Sequence, residues 1–336
     1  MKGPFIDLAD FDSKVIEHLL SLASDLEGRK DCQHLRNKVI GLLFMNPSLR
    51  TLASMQVAVA HLSGSSVVIQ PGQGSWKLEM NDGSIMDGDS VEHVREAIPV
   101  LSEYFDILGV RCFAEGKNLD DDLGDYAIRT MAGLCKVPFI SLESAAGHPC
   151  QALADWKTLD DLEVPRVGGK FVLSWAYHPK PLPFAVPFSA LTMALLRGMD
   201  VTVVRPPGYE LPNRILESAR VAALRGGGSF CETDQRDEAL AGAHVLYCKS
   251  WAKPDLYGQP GAEEPIRARY RDWIISESWF APAAANAKFM HCLPVRRNVK
   301  VTDEVLDGPR SVVVRQAANR LHTQKAILAA MAEEIP

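Results

Sequence analysis

The sequence predicts an α/β protein of two doubly wound parallel-sheet domains, with a C-terminal helix returning to the first. Three observations carry this expectation. Short apolar segments alternate with amphipathic ones along almost the whole chain, as strands do when helices cover both faces of a parallel sheet. The 336 residues suit two cores of about 150 residues each better than one. Reactive or polar residues close the strand-like segments, and the carboxyl ends of strands are where an open parallel sheet holds its ligands.

In chain order, the strands are expected at 39–45, 65–70, 106–111 and 138–142, then at 170–176, 200–205, 229–233, 244–248, 288–292 and 311–315. Helical patterns fill 92–105, 121–136, 149–162, 187–198, 212–225 and 319–334. The boundary is expected inside the helix that follows His148. It separates a domain over 1–150 from one over 151–318, and the helix over 319–336 is expected to pack back on the first. Two Gly-rich polar segments, 71–78 and 86–91, read as long loops of the kind that carry function. Trp76, in the first of them, is a candidate for reaching into a neighbour's site. His178 to Pro187 contains four prolines, which remove donors and fix the path of the chain.

Composition excludes several classes. Hydrophobic residues make up 47% and charged residues 23%, ordinary values for a globular protein. The net charge is −6 and no Lys/Arg-rich run stands out, which argues against nucleic acid or an anionic membrane as partner. No apolar run approaches the length of a membrane span, and the first residues lack the apolar core of a signal peptide. Seven scattered cysteines without a CxxC pair point to reduced thiols in a cytoplasmic enzyme. His148-Pro149-Cys150 and His291-Cys292 lack the paired spacings of structural zinc, so neither metal nor cofactor is expected.

The most informative stretch is Asn46-Pro47-Ser48-Leu49-Arg50-Thr51, where an apolar strand ends and a helix begins. Free N–H groups and the positive end of the helix dipole meet there. With two hydroxyls and a guanidinium they suit a phosphate. Ser48 also suits a simple helix cap. Further along, strand-like segments end in Arg111, in Glu143 before His148 and Gln151, in Lys249, and in His291-Cys292-Leu293 before Arg296. His148 and Gln151 are one helical turn apart. A protonated His is an oxyanion donor, and a Gln amide can read a planar carboxamide. Neither a G-x-x-x-x-G-K-[ST] loop nor a G-x-G-x-x-G fingerprint occurs, which disfavours nucleotide chemistry.

On these residues the chain resembles the aspartate/ornithine carbamoyltransferase superfamily. Ser48-Leu49-Arg50-Thr51 matches its carbamoyl-phosphate motif, His148-Pro149-Cys150-Gln151 its His-Pro-x-Gln, and His291-Cys292-Leu293-Pro294 its ornithine-type His-Cys-Leu-Pro. Gln73 to Glu79, Ile85 to Asp89 and Trp175 to Leu182 are similar to the branch that acts on N-acylated ornithine in arginine biosynthesis. The resemblance implies a homotrimer with a knotted backbone at 178–187, without cofactor. It implies carbamoyl phosphate bound by Ser48, Leu49, Arg50, Thr51, Arg111, His148, Pro149, Cys150, Gln151, Cys292, Leu293 and Arg320, with Trp76 from an adjacent subunit. Arg111, His148, Thr51 and Gln151 would be the catalytic set. Glu143, His178, Lys249, Arg296 and Val91 would meet the acylated amino acid. Where this chain has Leu52, the family often has a second Arg. Val91 stands where the acetylornithine type has Glu and the succinylornithine type resembles Pro. An uncharged residue there leaves room for a second carboxylate, which implies succinylornithine as the acceptor. Lys300 matches a lysine that the acetylornithine type can carry as a carbamate.

Overall fold

A computed structural model describes residues 3–335; Met1, Lys2 and Pro336, which open and close the expected domains, lie outside them. The chain divides into two compact units. The first runs through Ala114 and adds Gly124–Cys150 and the chain from Arg320; the second is Glu115–Leu123 with Gln151–Asn319. The short piece Glu115–Leu123 thus groups with the second unit, although it lies inside the span 1–150.

In the first unit the strands are β1 (Val39–Phe44), β2 (Ser65–Ile69), β3 (Lys77–Glu79), β4 (Ser90–His93), β5 (Ile107–Arg111) and β6 (Phe139–Glu143). Four of them form a parallel sheet in the order β2-β1-β5-β6. The order reverses between β1 and β5, which opens a crevice at their carboxyl ends. β1 and β5 are apolar and almost wholly buried because helices cover both faces. On one side lies a cluster of Leu43, Ile98, Leu108, Val110, Ile128, Met131 and Phe139. Gly41 is required in β1, since an added Cβ would collide with the Phe105 ring. The segments expected as two loops are tied by the small parallel pair β3-β4.

The second unit contains β7 (Lys170–Trp175), β8 (Asp200–Val204), β9 (Phe230–Thr233), β10 (Val245–Lys249) and β11 (Lys288–Met290). They form a parallel sheet in the order β11-β10-β7-β8-β9, which reverses between β7 and β10. The helix Ala185–Leu196 is apolar all round and buried nearly throughout, as such a helix must be.

Two expectations fail. The run at 311–315 is not a strand: Ser311 makes one bridge to Phe289, and the helix Val313–Ala332 has already begun. Its β-branched residues read as strand, but that propensity is weak and tertiary context overrides it. The helix expected over 121–136 is two helices, Leu119–Gly124 and Tyr126–Leu134, separated by Asp125 in the left-handed region at φ 56°.

Arg267 and Glu263 form an ion pair at 1% exposure each in the second unit. The Arg267 guanidinium also donates to the Trp251 carbonyl at 2.8 Å and lies 5.4 Å from the Trp175 ring and 5.2 Å from that of Tyr209. Removing one partner of such a pair strands a charge away from water. Glu263→Gln is therefore expected to cost about 3–5 kcal/mol, read as a lower urea midpoint at an unchanged slope. A loss below about 1 kcal/mol would show that the aromatic box alone satisfies Arg267.

Candidate functional site

At the carboxyl end of β1, Ser48 takes an extended conformation and its Oγ accepts from the Thr51 N–H at 3.2 Å. Ser48 is thus the N-cap of the helix Leu49–His61. The loops after β1 and β5 are joined, because Asn46 Oδ1 accepts from the Phe113 N–H at 2.8 Å. Leu49 is 80% exposed, Arg50 half-buried and Thr51 buried. Arg111 ends β5 and Glu143 ends β6, at adjacent register positions.

These strand ends gather a cationic cluster. Arg111 Nη1 donates to Glu143 Oε2 in a short ion pair. His148 Nε2 lies 3.3 Å from the same carboxylate oxygen. Arg320 Nη1 is 3.4 Å from His148 Nε2, and Arg320 Nη2 donates to Thr51 Oγ1 at 3.2 Å. Arg111, His148 and Arg320 are 6%, 4% and 3% exposed. Arg111 Nε is buried without a hydrogen-bond partner among the described residues. Burial is the main cause that lowers the Arg320 pKa, with Arg111 and Arg50 adding repulsion that Cys150 and Glu143 oppose. Burial also pushes the Cys150 thiol up to about 11, so it stays a neutral packing group. The Glu143 carboxylate therefore faces the guanidinium groups of Arg111 and Arg320, a set with capacity for a further anion.

Sequence reasoning missed Asp125. Its carboxylate accepts from Ser144 Oγ at 2.6 Å and from the Ala145 and Ala146 N–H groups at 3.1 and 3.3 Å. It thereby clamps the turn that delivers His148. The Gly124-Asp125 pair was the available signal, since both residue types tolerate the left-handed conformation.

In the second unit, Lys249 ends β10 and its Nζ lies 3.5 Å from Cys292 Sγ. Leu293 has φ 56°, and its N–H donates to His291 Nδ1 at 2.8 Å. Arg296 Nε donates to His178 Nε2 at 3.1 Å, which leaves His178 Nδ1 to donate to the Lys180 carbonyl at 2.7 Å. Burial first, and the cations Lys300 and Arg296 after it, hold the His178 pKa down to about 4. Lys300 is 1% exposed, and burial followed by repulsion from Lys249 lowers its pKa to about 7. Gln151 donates to Asp155 at 2.7 Å. In the first unit, Trp76 is 57% exposed and its indole N–H donates to Glu92 Oε2 at 2.5 Å; Val91 is 64% exposed. Glu143, expected to meet the acylated amino acid, contacts Arg111 and His148 in the first unit. Among the described residues, no group of three His, Cys, Asp or Glu is placed to hold a metal ion.

Fold and cluster define an anion-binding protein of the open parallel-sheet class, with its cations at a topological switch point. Comparison with known proteins narrows this. A model of the aspartate/ornithine carbamoyltransferase carbamoyl-P binding domain matches residues 4–161, and that of the Asp/Orn binding domain matches 185–331. The N-acetylornithine carbamoyltransferase of Xanthomonas axonopodis pv. citri (strain 306) is 41% identical over 98% of this chain and 96% of its own. The N-succinylornithine carbamoyltransferase of Bacteroides fragilis (strain 638R) is 38% identical over 94% and 95%. A crystal structure of acetylornithine transcarbamylase complexed with acetylcitrulline superposes with a TM-score of 0.94 at 41% identity, covering 98% of this chain and 99% of that one. The chain belongs to the aspartate/ornithine carbamoyltransferase family, in its N-acylornithine branch.

Two outcomes follow from this electrostatics. Glu143 pairs with Arg111 and lies 3.3 Å from His148, so it competes with an anion drawn to those groups. Glu143→Gln is expected to tighten inorganic phosphate binding on the order of tenfold by calorimetry, about the worth of one charge-assisted hydrogen bond. Unchanged or weaker binding would show that the carboxylate does not compete. The Lys300 pKa is lowered in the fold, so between pH 7 and 10.5 the unfolded chain holds the extra proton. Stability due to Lys300 therefore rises with pH across that window. The stability advantage of Lys300→Met over the parent is expected to shrink from pH 7 to pH 10 in urea titrations. A gap independent of pH would refute the assignment.

Proposed function

We propose that the protein transfers the carbamoyl group of carbamoyl phosphate to the δ-amine of N2-succinyl-L-ornithine, giving N-succinylcitrulline and phosphate. The observation that carries the donor half is the buried cluster of Arg111, His148 and Arg320 beside the helix start at Thr51. The membership of the N-acylornithine branch supports the acceptor half.

In this proposal Ser48, Leu49, Arg50 and Thr51 cradle the phosphoryl group with the N–H groups of the helix start. Arg111, His148 and Thr51 stabilise the oxyanion that develops on the carbamoyl oxygen, each worth ~3 kcal/mol. Gln151 and the backbone carbonyls of Cys292 and Leu293 receive the carbamoyl NH2, and Pro149, Cys150 and Arg320 complete the site. The δ-amine attacks as the free base, and its ordinary pKa of ~10.4 means that it first gives up a proton. That first proton goes to solvent; as the C–N bond forms and the C–O bond to phosphate breaks, the second amine proton passes to the leaving phosphate. His178, Lys249, Arg296 and Glu143 hold the acylated amino acid. His178 is neutral at pH 7, so the positive charge offered to a carboxylate comes from Arg296 and Lys249. The homotrimer, the donation of Trp76 to a neighbouring site, the knot at 178–187 and a cytoplasmic setting in arginine biosynthesis belong to the same proposal.

Acyl choice turns on Val91, which is uncharged and exposed in β4. A glutamate there would repel the second carboxylate of a succinyl group, and valine does not. The second reading is N-acetylornithine, favoured by the slightly higher identity to the acetyl relatives, 41% against 38%. Plain ornithine comes third. From a different class, an inactive anion-binding paralogue would keep the cations and lose turnover.

Assays with carbamoyl phosphate and ornithine, acetylornithine or succinylornithine in parallel decide among these. Succinylornithine is expected to turn over fastest, and Val91→Glu to move preference toward acetylornithine by tenfold or more, on the order of 1.4 kcal/mol. Turnover of acetylornithine alone would overturn the acceptor, and no turnover with any acceptor would favour the paralogue.

A further inference from the structure

The proposed chemistry uses Cys292 through its backbone carbonyl and leaves its thiol without a task. That side chain is 7% exposed, and the amine of half-buried Lys249 lies 3.5 Å from its sulfur. The sheet of the second unit brings the two together. β10 and β11 run parallel with Tyr247 beside Met290 as their last pair, and Lys249 and Cys292 each lie two residues further on. Side chains alternate along extended chain, so a step of two returns both residues to one face. Beyond Cys292 the chain turns at once. Leu293 takes the left-handed conformation at φ 56°, and its N–H donates to His291 Nδ1 at 2.8 Å. The sulfur is thereby held beside the amine.

Other cysteines have different surroundings. Burial pushes the thiols of Cys150 and Cys248 up to about 11 and about 12, so both stay protonated and inert. Cys135 donates its proton to the Val137 carbonyl at 3.3 Å. Cys231 is exposed and meets the Thr202 hydroxyl, a neutral partner, at 3.3 Å. Cys292 instead touches a lysine and lies near a second, since its charge acts on buried Lys300. Cysteines that react with oxidants sit beside cations rather than in apolar packing.

We propose that Cys292 and Lys249 form a redox modification site, in which hydrogen peroxide converts the neighbouring thiol and amine into a covalent sulfenamide. In the first step the sulfur attacks one peroxide oxygen. An S–O bond forms, the O–O bond breaks, and the other oxygen leaves as water with the thiol proton. Sulfur is oxidised by two electrons to a sulfenic acid, and the peroxide is reduced. In the second step the Lys249 amine attacks that sulfur as the free base. An N–S bond forms, the S–O bond breaks, and the hydroxyl leaves as water with one amine proton. A sulfenic acid condenses in this way with a nitrogen in reach. The pair loses two hydrogens in all. An added dithiol reverses the link: its thiolate attacks the sulfur and frees the amine, and its second thiolate then releases Cys292 as a thiol.

A sulfenamide nitrogen carries no positive charge, so the link also removes a cation offered to the acylated amino acid. That consequence rests on the role of Lys249 proposed above, whereas the link itself does not.

The test is peroxide treatment of the full chain, followed by tryptic digestion without reductant and mass spectrometry. The expected product joins the peptides of Lys249 and Cys292, with two hydrogens fewer than their sum and no cleavage after Lys249. Dithiothreitol is expected to return both free peptides. In Lys249→Met the sulfenic acid has no amine to meet. Cys292 is then expected to run on to the sulfinic acid, which dithiothreitol does not reverse.

A joined pair that keeps a peroxide oxygen would overturn the proposal. So would sulfinic acid at Cys292 beside free Lys249 in the parent, or a Cys292 thiol that survives while Cys231 is oxidised. The parent digest decides without the variant, so a Lys249→Met chain that does not fold leaves the test intact. Carbamoylation of the acceptors is followed on the same samples and is expected to fall on linking and to recover with dithiothreitol. A linked protein that carbamoylates at the parent rate would sink the role of Lys249 in acceptor binding and leave the link standing.

Discussion

Positive charge held out of water is the constraint on which the first unit depends. Arg111, His148 and Arg320 are nearly inaccessible, and Glu143 is the carboxylate that meets Arg111 and His148. A buried charge is costly unless paired, so the strand ends that carry these groups must be placed closely. The sheet order supplies the crevice between β1 and β5, Asn46 ties its two rims, and Asp125 fixes the turn before His148. The second unit meets the same constraint differently. Arg267 has a dedicated carboxylate and an aromatic box, whereas Lys300 has repulsive neighbours and yields by lowering its pKa to about 7.

Most of the fold was legible because a parallel sheet covered on both faces writes itself as short apolar runs. β1, β5, β7 and β10 lie within two residues of the expected positions. What was not legible depends on contacts distant in sequence. Val312, Val313 and Val314 look like a strand in isolation, yet only one bridge at Ser311 joins that run to the sheet before the helix takes over. Asp125 breaks an otherwise continuous helical pattern, since its carboxylate serves a loop some twenty residues on. No periodicity reports such a service.

The site shows the same division. Residue types at strand ends were readable, because topology alone sends them to one edge. Partnerships were not. Ser48 suited both a cap and a phosphate ligand, and it caps. The pairing of Glu143 with Arg111 and its approach to His148 join residues that lie 32 and five positions apart in sequence. Asp155 drew no notice, because one acidic residue in an amphipathic helix reads as solvated surface. It accepts from Gln316, 161 residues later in the chain. Leu52, half-buried at the position where the resemblance led one to expect a second arginine, has no structural explanation.

The carboxylate of Glu143 also bears on how an empty protein behaves in a cell crowded with small ions. Singly charged ions such as chloride and bicarbonate are also attracted to guanidinium groups. Against a resident carboxylate, a singly charged ion exchanges one pairing for another and gains almost nothing. A doubly charged phosphoryl group can evict that carboxylate and still retain a surplus of attraction. An internal anion paired with Arg111 thus sets a threshold on the valence of any ion that would replace it.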